Sequence, residues 1–467
     1  LRESNGHISA ASNSALALAD GEYVALLDHD DELRPHALYL VAQRFVENPE
    51  LGLVYSDEDK LDEQGRRYDP YFKPDWNPEL FYSQNYLSHL SVYRTALVRE
   101  VGGFRLGFEG SQDYDLALRC IERLRPDQIA HIPHVLYHWR SVAGSTALSG
   151  GEKNYTHDAS QRALQEHFTR TGVAASVELT RFGYFRSRYA LPEPLPLVSL
   201  IVPTRDRVDL LRMCVDGLLG RTDYPTLEIL IVDNQSSEAE TLAYFDSLKH
   251  EPRVRILPYD RPFNFSAINN FAAAQARGEI IGLINNDIEV IDPGWLRELV
   301  AYAVREDVGA VGAKLYYPDD RIQHAGVVVG FGGVAGHSYQ RMPRAYAGQM
   351  NRANLVQNLS SVTAACLLLR RDVYEKVGGL DEGLCVAFND IDFCLRILDL
   401  GLRIVWTPNA ELYHHESASR GYEDSPEKLE RFHREIRFMQ ARWGDRLLVD
   451  PAYNPNLSFD TEPFELA

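Results

Sequence analysis

The sequence predicts an α/β protein made of two tandem domains, each built around a mostly parallel central sheet. Two observations support this class. In the second half of the chain, buried runs rich in β-branched residues alternate with an amphipathic helix, which is typical of a parallel sheet with crossover helices. In addition, the two halves of the 467-residue chain share landmarks in the same order, which indicates an internal duplication.

The strand–helix–strand pattern lies at the start of the second half. It predicts a buried strand over Val198–Val202, an amphipathic helix over Val208–Leu219 and a second buried strand over Leu227–Val232. A third buried run follows Gly278, and it ends on Asn285-Asn286-Asp287 before a Pro-Gly turn leads into another helix. These elements in this order predict a sheet with its polar loops at one edge.

The duplication is carried by residues that align without a gap at a displacement of 257 (287 − 30). The aligned residues are Ser9, Asn13, Gly21, Glu22 and Asp30 in the first copy and Ser266, Asn270, Gly278, Glu279 and Asp287 in the second. Further along, "SQDYDLALR" matches "FNDIDFCLR" at a displacement of 277 (390 − 113), and "VLYHWR" matches "ELYHHE". The growing displacement predicts an insertion in the second copy near 326–336. Because the strands before residue 232 have no counterpart in the first copy, we expect that copy to be N-terminally truncated.

The predicted boundaries follow from the prolines at 192, 194 and 196, which precede the strand–helix–strand pattern of the second half. The expected divisions are a first domain over 1–180, a stiff linker over 181–196, a second domain over 197–425 and a helical tail over 426–467. The tail contains an amphipathic helix whose apolar face favours packing against a core. Its arginines leave open peripheral association with a membrane surface.

Composition limits the classes of function. A formal net charge of −19 argues against a nucleic-acid partner, which would require a basic face. The five cysteines form no CxxC pair, so neither a zinc site nor a disulfide framework is predicted. No apolar stretch is long enough for a transmembrane helix and no signal peptide is visible. A cytoplasmic location is expected, with the inner face of the cell membrane as the alternative.

Polar residues follow three of the predicted strands. Thr204 and Arg205 follow the first, Asp233 follows the second, and Asn285 and Asp287 follow the third. Each alone is typical of an ordinary strand-ending turn. Because ligands of open α/β sheets bind beyond the carboxyl ends of the strands, three such ends together predict a nucleotide site.

Carboxylates in this setting suggest a divalent cation. Asp287 is a candidate ligand for Mg²⁺ or Mn²⁺, because these cations prefer carboxylates and bridge to diphosphates. His414 is a candidate second ligand, although a lone histidine is more often structural. Asp390, at the first turn of a predicted helix, is a candidate general base, although an acidic residue there could also serve the helix dipole alone.

These motifs resemble inverting family 2 glycosyltransferases with the GT-A fold, especially bacterial enzymes of O-antigen and other surface polysaccharides. The resemblance rests on "VSLIVPTRDR", "IVDNQSS", "RGEIIGLINNDIEVI", "VGGLDEGLCVAFNDIDFCLRI" and "TPNAELYHHES", and in the first copy on "LLDHDDEL". It implies two tandem GT-A domains. It also implies transfer of a hexosyl or deoxyhexosyl group from a nucleoside-diphosphate sugar to a glycan or lipid-linked oligosaccharide.

The resemblance extends the predicted site to both copies. The last aspartate of the DxD-like motif implies a metal at Asp287 and Asp30, with His414 and His138 as later ligands. The base position implies Asp390 and Asp113. The predicted donor-binding set comprises Thr204, Arg205, Asp233, Asn270, Asn285, Asn286 and Asp28. Asn285 departs from the family pattern, because an aspartate is usual there.

Three other readings compete. "GVVVGFGGVA" has the glycine spacing of a dinucleotide-binding loop, but it follows no suitable strand and opens no predicted helix. Paired carboxylates could serve a glycoside hydrolase, which would not need the nucleotide-type strand pattern. The stronger rival is a non-catalytic nucleotide- or carbohydrate-binding scaffold derived from a transferase.

Overall fold

The chain folds into two units. In the computed structural model, which describes residues 5–141, 154–415, 425–460 and 464–466, unit 1 comprises 1–190 together with 453–457. Unit 2 comprises 191–452 together with 458–467. Unit 1 continues past the predicted boundary at residue 180, because a strand over 185–189 pairs with the strand over 175–179.

Unit 1 contains a six-stranded mixed sheet and a separate hairpin. Its strands are β1 (Tyr23–Ala25), β2 (Glu32–Leu33), β3 (Leu53–Leu61), β4 (Arg67–Tyr71), β5 (Ser91–Arg94), β6 (Ile129–Arg140), β7 (Ala175–Leu179) and β8 (Phe185–Tyr189). Its helices are α1 (His7–Leu18), α2 (Ala37–Glu47), α3 (Pro78–Ser83), α4 (Thr95–Glu100), α5 (Gln112–Ile121) and α6 (Asn154–Arg170). The sheet order is β1-β5-β3-β6-β2, with β4 on β3. Among the described strands of unit 1, only β3 and β6 pair in parallel.

Unit 2 is built on a ten-stranded sheet. Its strands are β9 (Val198–Thr204), β10 (Leu227–Asp233), β11 (Val254–Pro258), β12 (Ile280–Ile284), β13 (Ile288–Val290), β14 (Val308–Tyr316), β15 (Ile322–His324), β16 (Val327–Val329), β17 (Ala335–His337), β18 (Gln357–Leu359), β19 (Cys366–Arg370) and β20 (Arg403–His414). Its helices are α7 (Val208–Gly220), α8 (Ala239–Leu248), α9 (Phe265–Ala273), α10 (Trp295–Ala303), α11 (Arg371–Lys376), α12 (Asn389–Asp399) and α13 (Pro426–Trp443).

The strand order of unit 2 places the predicted loops side by side. The order is β11-β10-β9-β12-β19-β14-β20-β13. The first four of these strands are parallel neighbours, whereas β19 joins them antiparallel. The α/β class and the organisation in two successive units are confirmed. The strands beyond β12 make the sheet mixed.

The duplication is visible as one repeated contact. Oδ1 of Asn270 accepts a hydrogen bond from the backbone N–H of Leu380 at 2.9 Å, and Oδ1 of Asn13 accepts one from Phe104 at 2.9 Å. Gly379, with φ of +71°, precedes Leu380, and a Cβ there would lie 2.5 Å from Oδ1 of Asn270. Glycine is therefore required twice over, by its backbone conformation and by the approaching amide.

The amphipathic tail helix packs within unit 2. Met439 of α13 is fully buried, and Ile436 and Trp443 pack against the same cluster. Phe432 stacks on Phe388 at a centroid distance of 5.4 Å. The carboxylate of Glu435 accepts the backbone N–H groups of residues 385–387. This face is therefore occupied by the protein itself, as core packing predicts.

Among the described residues, no helix combines the length and the apolar character that crossing a bilayer requires.

The glycine-rich stretch forms a hairpin. Strands β16 and β17 pair antiparallel, and the N–H of Gly330 donates to the carbonyl of Val334 at 2.8 Å to close the turn. A dinucleotide-binding loop would connect a strand of a parallel sheet to a helix. The spacing of these glycines therefore belongs to a turn, which removes the basis of the oxidoreductase alternative.

Candidate functional site

The polar residues at the strand ends of unit 2 lie together, as the sequence predicts. Thr204 and Asp233 end β9 and β10 and stand opposite each other in the parallel register. The side-chain amide of Asn286, just beyond β12, donates to Oγ1 of Thr204 at 3.0 Å. Arg205 follows Thr204 and is exposed. The loops after three neighbouring strands thus form one rim.

Asp233 is held by its own turn. Its Oδ1 accepts the backbone N–H of Ser236 at 2.9 Å, and the hydroxyl of Ser236 in turn accepts the N–H of Asp206 at 2.8 Å. The loop after β10 is therefore tied to the loop after β9. This contact fixes the carboxylate at the rim, and no described residue donates to its Oδ2.

Asp287 and His414 form the centre of the rim. Nε2 of His414 lies 3.2 Å from Oδ1 of Asp287 and 3.2 Å from the amide nitrogen of Asn285. Strands β13 and β20 bring them together, because Ile288 pairs with His414. Burial raises the pKa of the Asp287 carboxyl, but the adjoining imidazole of His414 outweighs burial and lowers the pKa overall.

This pair suits a divalent cation. Within the described part of the chain, Oδ1 of Asp287 and Nδ1 of His414 are buried and have no hydrogen-bond partner. When Nε2 of His414 accepts the amide proton of Asn285, Nε2 and Oδ1 of Asp287 are two lone-pair donors facing each other. Such an arrangement is costly without a positive charge between them. A carboxylate with an imidazole fits Mn²⁺, and the carboxylate also fits Mg²⁺.

Asp390 shares this rim through one short backbone segment. The carbonyl of Ala365 accepts the N–H of Asn285 at 3.0 Å. The N–H of the preceding Ala364 donates to Oδ2 of Asp390 at 3.1 Å. Asp392, two residues on, is fully buried and bonds instead to Arg396 and to the indole of Trp443. Of the two carboxylates in this turn, Asp390 is the half-exposed one.

Asn270 is not part of the rim, contrary to the expectation that it binds the donor. Its Oδ1 also accepts the hydroxyl of Tyr374 at 2.7 Å, and its amide donates to the carbonyl of Leu380 at 2.9 Å. Its hydrogen-bonding groups are used to hold the loop before α12. The signal that singled it out, its recurrence in both copies, reflects this structural role.

The first copy has a cavity of about 880 Å³ within unit 1, lined by Asp28, Asp113 and Trp139 among others. Asp28 and Asp113 therefore share one space, as predicted. Burial raises the pKa of the Asp28 carboxyl; the imidazole of His89 lowers it, the neighbouring carboxylates raise it, and the pKa is raised overall. The amide of Asn85 donates to Oδ2 of Asp113 at 2.8 Å.

The metal ligands predicted for the first copy are not brought together. His138 is buried against Asp59, whose carboxylate accepts its Nδ1 proton. Asp30 is partly exposed and lies 3.5 Å from the imidazole of His29. The expectation that Asp30 and His138 hold one cation is therefore wrong for this geometry.

A difference of one residue in strand register explains this correction. In unit 2, Ile288 pairs with His414. The residue of unit 1 equivalent to Ile288 is Asp31 (288 − 257), but His138 pairs with Glu32 instead. Because successive side chains of a strand point to opposite faces, this shift turns His138 away and turns its neighbours toward the carboxylates. The aligned sequences alone do not reveal the shift.

The residues that sequence reasoning missed are Asp31, His89 and Tyr137. Ligand atoms of Asp28, Asp31 and His89 all lie within 4.8 Å of one another. Asp31 adjoins the predicted motif, so its position carried a signal. His89 lies in a loop without any recognisable pattern.

In unit 2, neighbouring parallel strands, carboxylates at their ends and an acid on α12 are the features expected of a GT-A glycosyltransferase domain. The sequence profile described as Glycosyl transferase family 2 matches residues 1–102 and 199–378, and the chain belongs to this family.

Individual relatives extend over nearly the whole chain. The Sinorhizobium fredii (strain NBRC 101917 / NGR234) protein y4gI is 55% identical over 470 residues, covering 100% of this chain and 52% of its own length. The O-antigen biosynthesis protein RfbC of Myxococcus xanthus is 44% identical over 458 residues, covering 97% of this chain and 35% of its own length. The chain thus spans about half of the length of the first relative and about a third of the length of the second.

A solved structure is similar at low identity. The mannosyltransferase PcManGT of Pyrobaculum calidifontis, in complex with GDP-Man and Mn²⁺, aligns with 53% of this chain and 66% of its own at 19% identity. Its TM-score of 0.38 is too low to bear on the site.

Proposed function

We propose that unit 2 transfers a sugar from a nucleoside-diphosphate sugar to a hydroxyl of a glycan or lipid-linked oligosaccharide, with inversion, in bacterial surface polysaccharide synthesis. The observation that carries the proposal is the shared rim of Asp287, His414 and Asp390. Membership of the family supports the class of reaction. The relative RfbC, named for O-antigen biosynthesis, supports the kind of product.

Each group of the rim has a distinct task in this proposal. Thr204, Asp233 and Asn286 bind and orient the nucleotide part of the donor. Asp287 and His414 would hold Mg²⁺ or Mn²⁺. A divalent cation there supplies positive charge against the departing diphosphate.

Asp390 acts as the general base. Its carboxylate is fixed at the first turn of α12 by the N–H groups of Ala364 and Ile391. It takes the proton of the acceptor hydroxyl as the oxygen attacks the anomeric carbon. Such a base contributes about 10²- to 10⁴-fold in rate, and the remaining acceleration comes from positioning and electrostatics.

The test is a panel of nucleoside-diphosphate sugars with Mn²⁺, scored for transfer to glycan acceptors and for hydrolysis. In Asp390→Asn, we expect the turnover of the productive donor to fall about 10²- to 10⁴-fold, with Mn²⁺-dependent donor binding retained. Asp399→Asn, an exposed change on the same helix, is the matched control and should leave turnover unchanged.

Two outcomes would contradict the proposal. If Asp390→Asn transferred sugar at the wild-type rate, Asp390 would not be the base. If the wild-type chain bound a nucleotide sugar with Mn²⁺ but neither transferred nor hydrolysed it, the non-catalytic scaffold would be the correct description of unit 2.

A further inference from the structure

The tail helix α13 contacts the turn that leads to the proposed base. This turn comprises residues 385–388, and α12 follows it directly with Asp390 in its first helical turn. Three side chains of α13 reach the turn or the start of α12, namely Phe432, Glu435 and Trp443. The tail helix therefore supports the segment that carries the base.

The carboxylate of Glu435 is buried and accepts three successive backbone N–H groups. Its Oε1 accepts those of Cys385 and Val386 at 2.9 and 3.1 Å, and its Oε2 accepts that of Ala387 at 3.1 Å. Burial of a carboxylate costs free energy that an apolar side chain at the same position would not cost. Met439, one helical turn further on, shows that an apolar residue fits this face of α13. The carboxylate therefore serves to fix the turn and not only to bury the helix.

The supported turn contains a strained residue. Phe388 has a φ of +60°, in the left-handed region that residues with a side chain adopt only at an energetic cost. Such a conformation persists where the surrounding structure holds it. Here the ring of Phe388 stacks on Phe432 with centroids 5.4 Å apart, and its carbonyl accepts the N–H of Asp392 at 2.9 Å. The contacts of α13 thus act where the turn is least stable by itself.

Direct contacts connect the turn to Asp390. The carbonyl of Val386 accepts the side-chain amide of Asn389 at 2.8 Å, so the turn is bonded to the first residue of α12. Asp390 follows Asn389, and its Oδ2 accepts the N–H of Ala364 at 3.1 Å. A shift of the turn therefore moves the carboxylate of Asp390 relative to the rim. A misplacement of about 1 Å at a reacting group can cost about 10²-fold in rate.

The equivalent turn of unit 1 is held differently. Ser111 aligns with Phe388 at the displacement of 277 (388 − 111), and its φ is −148°. The hydroxyl of Ser111 donates to the carbonyl of Thr156 at 2.8 Å and lies 2.6 Å from the hydroxyl of Ser160. Both partners belong to α6, which follows β6 as α13 follows β20. At this aligned position, a left-handed residue with aromatic support is therefore a feature of unit 2.

We propose that Glu435 is a positioning residue for Asp390. Its carboxylate fixes the turn 385–388, and the turn holds the base at the place where it can take the proton of the acceptor. The inference rests on the proposed function of unit 2, because the position of Asp390 matters to turnover only if the chain transfers sugar. In Glu435→Gln, the amide oxygen can still accept at most two of the three N–H groups, while the amide nitrogen faces the remaining one as a donor against a donor.

The test is a double-variant cycle on the full chain, with the donor and acceptor that the nucleotide-sugar panel identifies. Glu435→Gln should lower kcat about 10- to 100-fold and leave the KM for the donor unchanged, because the nucleotide-binding residues are untouched. Because Glu435 acts through Asp390, adding Glu435→Gln to Asp390→Asn should lower kcat no further. Glu430→Gln, an exposed change on the same helix, is the matched control and should leave kcat unchanged.

A second variant acts on the same turn and keeps the buried carboxylate. Phe432→Leu removes the ring that stacks on Phe388 and retains an apolar side chain. It should lower kcat about 2- to 10-fold, as expected for the loss of one aromatic pair, and it too should have no further effect in Asp390→Asn. Circular dichroism and urea unfolding measure whether each variant is folded, and kcat is compared between folded variants.

Two results would overturn the inference: turnover of folded Glu435→Gln at the wild-type rate, or an equal loss of kcat from this change in the wild-type and Asp390→Asn backgrounds. The second result would mean that α13 serves folding independently of the base. If Glu435→Gln does not fold, the same two comparisons with Phe432→Leu decide. These results leave the proposed function standing, because the wild-type chain still transfers sugar. Absence of transfer by the wild-type chain is a different observation, which would overturn the proposed function and this inference with it.

Discussion

At the scale of the residue, Asn270 and His414 show that recurrence in two copies does not distinguish packing from chemistry. Both residues repeat in the first copy. Asn270 uses its side chain to hold the loop at Leu380, whereas Nδ1 of His414 is buried and has no partner among the described residues. The useful distinction is whether the hydrogen-bonding capacity of a repeated side chain is already used.

This distinction predicts opposite behaviour for two variants. Asn270→Ala leaves the hydroxyl of Tyr374 and the N–H of Leu380 without their acceptor, so the free energy of unfolding should fall by about 1–3 kcal/mol. Mn²⁺-dependent nucleotide binding should persist. His414→Ala should weaken that binding and cost little stability. Thermal unfolding and titration of Mn²⁺ with a nucleoside diphosphate measure the two effects.

If Asn270→Ala weakened nucleotide binding and His414→Ala lowered stability instead, Asn270 would belong to the binding site. Equal loss of binding in both variants would show that the loop before α12 and the rim form one cooperative unit.

At the scale of the element, the strands of unit 2 follow from local patterns, whereas the register of unit 1 does not. The runs over 198–204, 227–233 and 280–284 are buried and rich in β-branched residues, and the structure extends the predicted strands by only one or two residues. No local sequence pattern indicates the one-residue shift between β2 and β6, because the register depends on how the side chains of both strands pack in the core. The structure does not bring Asp30 and His138 together for that reason, whereas it does place the predicted Asp287 and His414 side by side.

The contact between α5 and α6 gives a pH-dependent prediction. Burial raises the pKa of Glu122. Hydrogen bonds from His167 and Arg170 outweigh this effect and lower the pKa overall, from 4.5 to about 2. The unfolded state therefore binds the proton first, and the contribution of Glu122 is fully present above pH 4.5 and lost as the pH falls toward 2.

We expect Glu122→Gln to lower the free energy of unfolding by about 1 kcal/mol at pH 7, allowing for solvent screening of a partly exposed pair. The difference from wild type should shrink as the pH falls below 4.5. Urea unfolding at several pH values measures it. Glu100→Gln, whose pair with Arg123 is exposed and 3.8 Å long, should show little difference at any pH. A Glu122→Gln difference that grew toward low pH would contradict the assigned partners.

At the scale of the whole molecule, a five-residue segment near the C-terminus is part of the first unit. Residues 453–457 belong to unit 1 although 191–452 form unit 2. The amide of Asn454 donates to Oδ1 and Oδ2 of the buried Asp57 at 3.1 and 2.9 Å. His131 contacts the same carboxylate at 2.8 Å. The predicted boundaries do not assign 453–457 to the first domain, because no local pattern links residues so distant in the chain.

Asn454→Ala should therefore destabilise unit 1 by about 1.5–3 kcal/mol, since it removes hydrogen bonds to a buried charge. Differential scanning calorimetry of the full chain should show a lower unfolding temperature for the transition that includes unit 1. Asp445→Ala, an exposed change in the short helical turn after α13, is the control. Unchanged unfolding in Asn454→Ala would mean that the segment adds nothing to unit 1.

This returning segment has a practical consequence for dissection of the protein. A break in the proline-rich stretch near residue 190 cannot yield two intact halves, because the amino-terminal piece would lose the Asn454 amide that donates to the buried carboxylate of Asp57. Truncation of the chain before residue 453 would likewise remove the hydrogen bonds between Asn454 and Asp57. The five-residue segment 453–457 can instead be supplied in trans as a peptide. The increase in stability of the 1–190 fragment on adding this peptide would measure the contribution of the segment to unit 1.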